Sequence, residues 1–268
     1  MQKKDKVGTP ADGKVKIRGA KELAKDLSKT NRDPKIITPN PIKKQIKINQ
    51  FPWTDKQKEF FRVALDHSSK IVFVNGPAGT AKTLLSVYCG LQLMNMKTID
   101  DIMYLRSAVE SSDKSLGYLP GDANEKLRFY NLPFLDKLEE LLAESTAQKL
   151  EDQKRVSMFP VNFARGMNWK HKCIILDEAQ NSSIKEIITV LTRMGEGCRC
   201  FILADPMQTD LKNENTQGGF EGLSQVFSDE ESVNMGVYTF EFSEEDIMRS
   251  KLVKFLIKKI REFAEEED

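Results

Sequence analysis

A chain of 268 residues with 40% hydrophobic content is long enough for one large domain or two small ones, each with a buried core. No run approaches the roughly eighteen apolar residues of a membrane span, and MQKKDKVGTP lacks the apolar stretch of a secretory leader, so the expectation is a cytoplasmic protein with no membrane partner. The net charge of +1 conceals an uneven distribution: residues 1–50 carry 14 Lys and Arg against 5 Asp and Glu, and residues 51–268 carry 27 against 35.

Residues 1–50 are basic, dotted with prolines and poor in large apolar side chains, which predicts a largely extended arm. Such an arm is either a solubilising tail or a nucleic-acid contact that adds affinity without reading sequence. From Trp53 onward the pattern is globular, and residues 51–268 read as one domain. TDKQKEFFRVALDH opens on a Thr cap and sets Phe60, Val63 and Ala64 on one helical face, and KIVFVNG follows as a short apolar strand. TLLSVYCGLQLMN predicts the next helix and DIMYLRSA the second strand.

A helical insertion around 110–160 comes next, with EKLRFYNLPFLDKLEELLAEST interrupted at Pro133. Its aromatics Tyr118, Phe129, Tyr130 and Phe134 either stack on unpaired bases or pack a hairpin onto the sheet. KCIILDEAQ is a buried strand ending in acids, KEIITVLTRMG a helix closed by Gly195, and CRCFILADP another strand. KLVKFLIKKIREF reads as an amphipathic helix. Alternating strands and helices predict an α/β fold whose parallel sheet is covered on both faces. The four cysteines, Cys89, Cys173, Cys198 and Cys200, fall in core-like segments without a second ligand pair, so buried thiols are expected rather than disulfides or zinc.

VNGPAGTAKT joins a strand to a helix through a glycine-rich turn, the setting in which backbone N–H groups converge on the phosphates of a nucleotide. The loop residues are Gly76, Pro77, Ala78, Gly79, Thr80 and Ala81. Lys82 is expected to reach the β- and γ-phosphates, and the Thr83 hydroxyl to ligate magnesium. Ala81 stands where the pattern asks for glycine. At the start of a helix its dihedrals should be nearly helical, so the methyl is expected to be tolerated.

IILDEAQ ends a buried strand with Asp177 and Glu178, at the end of a parallel sheet where ligands bind. Asp177 suits the magnesium shell, and Glu178 suits the orientation or deprotonation of an attacking water. FILADPMQ ends another strand with an acid followed by Gln208, whose amide suits sensing of a γ-phosphate. Gln57 sits where an adenine-reading glutamine would lie, and Arg249 is either an arginine finger or an ordinary surface residue.

In order, GPAGTAKT, RSAVE, LGYLPGD, ARG, IILDEAQN, LTRMG, ADPMQTDL and DIMRSKLV resemble the PhoH family of phosphate-starvation-inducible ATPases, from about Phe51 to the C-terminus. The resemblance implies a RecA-like P-loop NTPase core related to superfamily 1 helicases, binding of ATP and Mg2+, and action on RNA. The short chain and basic arm look similar to bacteriophage-borne members.

Carried over, Gly76, Gly79, Lys82 and Thr83 match the Walker A loop, Asp177 and Glu178 match Walker B, Gln208 matches the helicase-like glutamine, and Arg249 matches the C-terminal motif. Arg106 and Glu110 match a segment after the second strand where helicase relatives touch nucleic acid, Arg165 matches the short motif ahead of Walker B, and all three are the expected contacts to single-stranded RNA or DNA. Ala81 and Ala204 each replace a glycine, which bears on the hydrolysis rate more than on binding. A single lobe is half a motor, so a homo-oligomer such as a hexameric ring is expected, with Arg249 or Arg106 reaching a neighbour's site.

The leading reading is therefore a Mg-dependent ATPase coupled to single-stranded nucleic acid. The competing one is an ATP-bound regulatory or RNA-binding switch with little hydrolysis. Glu178 favours catalysis, because a pure binder has no use for it.

Overall fold

The structure, a computed structural model, describes residues 45–107, 123–205, 219–256 and 259, with backbone alone for 123–131. Glu110, Tyr118, Gln208, the side chains of Phe129 and Tyr130, and residues 1–44 of the basic arm lie outside the described residues.

Six parallel strands form one sheet: β1 (Ile71–Asn75), β2 (Asp101–Arg106), β3 (Val156–Pro160), β4 (Lys172–Asp177), β5 (Arg199–Ala204) and β6 (Val237–Glu241). Their order is β3-β2-β4-β5-β1-β6. The strand that leads into the glycine-rich loop and the strand that carries the two acids are thus separated by β5, and every C-terminal strand end opens on one edge. This is the RecA-like P-loop arrangement expected, with the site along the carboxyl edge. β1, β2, β4 and β5 are runs of apolar residues buried on both faces, which is what a covered parallel sheet demands.

Helices cover both faces: α1 (Asp55–Leu65), α2 (Lys82–Asn95), α3 (Ala123–Leu141), α4 (Glu144–Asp152), α5 (Ile184–Leu191), α6 (Gly219–Val226) and α7 (Glu230–Asn234). Thr54 caps α1 through a capping box with Gln57, and Phe60 and Ala64 turn inward as the spacing predicts. One core layer joins Phe60, Leu85, Leu91, Phe134 and Leu138 to one face of the sheet, and the other joins Phe73, Leu105, Trp169, Ile187 and Phe220 to the opposite face. All four cysteines are buried and free.

Four elements differ from the sequence reading. Pro133 lies inside α3 instead of interrupting it, because Phe134, Leu135, Leu138 and Leu141 beyond it are buried and hold the helix. α5 stops at Leu191, four residues before Gly195, where the chain turns to pair with Trp169. β3 and β6, the two edge strands, carry no apolar run and were not anticipated.

Residues 45–50, counted with the arm, pack on the core. Ile46 and Ile48 are buried, Ile46 exchanges both backbone hydrogen bonds with the Asn95 side chain (2.7 and 2.9 Å), and Asn49 N–H donates to the Leu141 carbonyl at 2.8 Å. Among the described residues no helix is long and apolar enough to cross a membrane.

Candidate functional site

The loop between β1 and α2 turns through two glycines in backbone regions that L-residues rarely adopt, Gly76 at φ +156° and Gly79 at φ +88°. A Cβ on Gly76 would meet Phe242 Cβ at 2.7 Å, so the segment after β6 is packed directly under the loop. Thr80 Oγ1 donates to the Pro77 carbonyl at 2.9 Å and is wholly buried. Lys82 Nζ folds back on the loop and donates to the carbonyls of Gly76 (2.5 Å) and Pro77 (3.0 Å).

Ala81 overturns the expectation of helical dihedrals. It is the N-cap of α2, in the left-handed region at φ 65°, ψ 21°, while its carbonyl accepts from Leu85 N–H at 2.9 Å. The reversal from loop to helix is concentrated on this residue, and an alanine there carries a strain of about 1–2 kcal/mol that glycine would not. The other substituted glycine position, Ala204, is ordinary in conformation: it ends β5 and its methyl is buried beside the cleft.

Thr83 and Asp177, the two expected magnesium ligands, meet: Thr83 Oγ1 donates to Asp177 Oδ2 at 2.9 Å. Asp177 is buried at the end of β4, and its other oxygen, Oδ1, accepts from Glu178 N–H at 3.0 Å. Glu178 sits at φ 54°, a second left-handed residue at the strand-to-turn junction, and its half-exposed carboxylate faces the cleft. A hydroxyl and a carboxylate oxygen so close together are the donor set a hard, hydrated cation such as Mg2+ accepts.

Burial lowers the pKa of the Lys82 ammonium, and the nearby carboxylates of Asp205, Asp177 and Glu178 act against that. Burial first, and then the neighbouring Asp177 charge, push the Tyr104 phenol well above its usual range.

Arg106 ends β2 in register with Asp177, and its guanidinium lies 3.8 Å from Glu178 Oε1. Arg249 lies over its own loop: Met248 N–H donates to the Gly79 carbonyl at 2.8 Å, and Arg249 Cγ would sit 3.0 Å from a Cβ on Gly79. Arg249 therefore lines the cleft of its own chain, and Arg106 lies beside Glu178 without lining the cleft. The segment from Phe242 to Arg249 runs back from β6 along the loop. Arg165 is exposed just beyond β3, on the same edge of the sheet but outside the cleft lining.

The cleft at this edge has a volume of about 510 Å3. Besides the loop and the acids, Phe51, Trp53 and Gln57 form one wall and Lys137 of α3 another. Gln57 is buried; its Oε1 accepts from Thr54 N–H at 3.0 Å, so the side chain sits at the cleft in a fixed orientation, part of the α1 cap as well as a wall.

Two residues escaped the sequence reading. Gln180 is buried, donates Nε2 to Glu178 Oε2 at 2.6 Å and accepts from Asp205 N–H at 3.1 Å, tying the ends of β4 and β5 together. The DEAQ motif contained that signal. Tyr104 donates to Asp177 Oδ2 at 2.9 Å. Nothing in DIMYLRSA marks it apart from an ordinary strand residue.

The sequence profile of the PhoH family, described as PhoH-like protein, matches residues 50–261. A PhoH-like protein of Bacillus subtilis is 32% identical over 221 residues, covering 82% of this chain and 66% of that one. One from Synechocystis is 30% identical over 204 residues, covering 76% and 60%, and Protein PhoH of Escherichia coli K12 is 32% identical over 187 residues, covering 69% and 51%. The chain thus spans between half and two thirds of the length of these relatives. Among solved structures, a Pif1 helicase from Candida albicans aligns at a TM-score of 0.34 and 12% identity, over 72% of this chain and 41% of that one.

Proposed function

This chain belongs to the PhoH family, and from that premise we propose that it binds ATP with Mg2+ and hydrolyses it, coupled to binding or remodelling of single-stranded nucleic acid, RNA in preference. The observation that carries the reading is the 2.9 Å contact between Thr83 Oγ1 and Asp177 Oδ2 with Glu178 next in the chain. The loop N–H groups and Lys82 hold the phosphates, with Lys82 leaving the Gly76 and Pro77 carbonyls to do so. Phe51, Trp53 and Gln57 receive the base.

Thr83 and Asp177 would hold the Mg2+, which neutralises charge developing on the phosphate oxygens. Glu178, kept in place by Gln180, takes the proton of the attacking water, and Arg249 stabilises the charge from its place over the loop. The basic composition of residues 1–50 supports a phosphate-backbone contact, and Arg106, at the end of β2, and Arg165, after the short turn that follows β3, extend it along the carboxyl edge. Assembly into a homo-oligomer is part of the same reading, supported by the exposed Leu252, Phe255 and Leu256 in the helical run at 251–256.

The second reading, a nucleotide-bound switch with little turnover, draws on Ala81, whose strained conformation and neighbouring folded-back lysine favour a closed loop. Steady-state ATP hydrolysis with Mg2+, with and without single-stranded RNA, separates the two. RNA-stimulated turnover removed by Glu178→Gln and by Lys82→Ala is the expected result. Tight ATP binding with no turnover in the unsubstituted chain would overturn the catalytic reading in favour of the switch.

A further inference from the structure

Asp177 Oδ2 is held from two directions. Thr83 donates to it from the first turn of α2, and the Tyr104 phenol donates to it from the interior of β2, each at 2.9 Å. Tyr104 is wholly buried, and its ring stacks on Phe134 of α3 with centroids 4.9 Å apart and planes 26° from parallel. A buried phenol needs an acceptor, and a core tyrosine usually finds a carbonyl. Here the acceptor is the carboxylate that the nucleotide reading assigns to the cation.

The two donors differ in what they can do next. The Thr83 hydroxyl has lone pairs and lies in the first turn of α2 at the cleft, so it is free to turn toward a cation. Tyr104 has one proton and a ring stacked on Phe134, so its hydrogen bond stays on Oδ2. An outer hydrogen bond of this type sets the direction of a metal-binding carboxylate and the basicity of its oxygens.

We propose that Tyr104 is a positioning residue that fixes the orientation of Asp177 toward the cation accompanying a bound nucleotide, and that Phe134, by clamping its ring, makes α3 part of the cation site. This rests on the nucleotide reading above. It adds a residue that touches neither nucleotide nor cation, and it gives the helical insertion a part in the chemistry beyond packing.

Tyr104→Phe removes the hydroxyl and leaves the ring stack in place. In the full chain, binding of a fluorescent ATP analogue is titrated at increasing free Mg2+, with a matched series in EDTA, and circular dichroism melting follows each variant. The expected result is a rise of about tenfold in the Mg2+ needed for half-maximal enhancement, with the affinity in EDTA unchanged. Phe134→Leu, which keeps the hydroxyl and loosens the ring, moves the Mg2+ requirement in the same direction. In the unsubstituted chain the titration also perturbs the ultraviolet absorption of a buried tyrosine, a change absent from Tyr104→Phe.

An unchanged Mg2+ requirement in Tyr104→Phe overturns the proposal, as does an equal loss of affinity in EDTA. Nucleotide binding that ignores Mg2+ in the unsubstituted chain overturns the nucleotide reading itself, and the proposal with it.

Discussion

Arg249 lies over Gly79 of its own chain, anchored by the hydrogen bond from Met248 N–H to the Gly79 carbonyl. So placed, Arg249 is expected to act in cis. Removal of a finger arginine typically lowers turnover by roughly 10³–10⁵, and Arg249→Ala is expected to fall toward that range. Mixing Arg249→Ala chains with Lys82→Ala chains tests the geometry: a cis arginine leaves the mixture inactive, whereas recovered turnover would mean that Arg249 serves a neighbouring subunit.

Ala81 is strained where it stands. Replacing it with glycine removes the left-handed cost but adds backbone freedom to the unfolded chain, worth about 0.5–1 kcal/mol against it. The strain of about 1–2 kcal/mol is the larger of the two. Ala81→Gly is therefore expected to raise the urea midpoint of the nucleotide-free protein slightly and to tighten ATP binding. A lower midpoint would show that Ala81 is at ease in this conformation.

Gln180 donates to Glu178 with one end of its amide and accepts from Asp205 N–H with the other. Gln180→Glu keeps the acceptor and turns the donor into a repelling carboxylate. Turnover should fall by about two orders of magnitude, as for loss of an oriented base, with ATP affinity retained. Equal turnover in the two proteins would limit Gln180 to a structural tie.

Burial holds the Lys82 pKa below the ordinary lysine value of 10.5, even with Asp205, Asp177 and Glu178 nearby. Between the lowered value and 10.5 the unfolded chain binds more protons than the folded one, so this group makes stability rise with pH across that window. Below the window the penalty is constant. Lys82→Met lacks the titration, so the stability difference between the two proteins should shift in favour of lysine as pH climbs toward 10.5. Urea midpoints measured in nucleotide-free protein at about pH 7 and about pH 10 report it; a pH-independent difference would mean that the ammonium is not disfavoured by its surroundings.

What could be read from the residues were features written in local pattern. Apolar runs such as IVFVN and KCIILD predicted the buried strands because a covered parallel strand needs no alternation. The glycine loop and the DE pair were legible because phosphate and cation chemistry constrains residue type at fixed spacing. β3 and β6 were not, since an edge strand with one covered flank carries little pattern. The contacts of Tyr104 and the place of Arg249 against Gly79 depend on segments far apart in sequence meeting in space, Asp177 being 73 residues from Tyr104. The conformation of Ala81 depends on where the helix begins, and one residue of difference reversed the expectation.

Residues 45–50 set the limit for testing the basic arm. Ile46 and Ile48 are buried against α2 and α3, and the strap is tied at both ends, by Asn95 and by the Leu141 carbonyl. At about 1.5–3 kcal/mol for each buried isoleucine, deleting 1–50 should cost roughly 3 kcal/mol or more relative to deleting 1–44. A nucleic-acid defect in the longer deletion would then be confounded with loss of folded protein. The shorter one removes the basic residues before Lys47 while sparing the strap. If the arm contacts phosphates, the 1–44 deletion lowers affinity for single-stranded RNA and flattens its dependence on salt, by about 0.7 in logarithmic slope for each phosphate it no longer neutralises. A salt slope equal to that of the full chain would remove the arm from the nucleic-acid interface and leave it to Arg106, Arg165 and the carboxyl edge of the sheet.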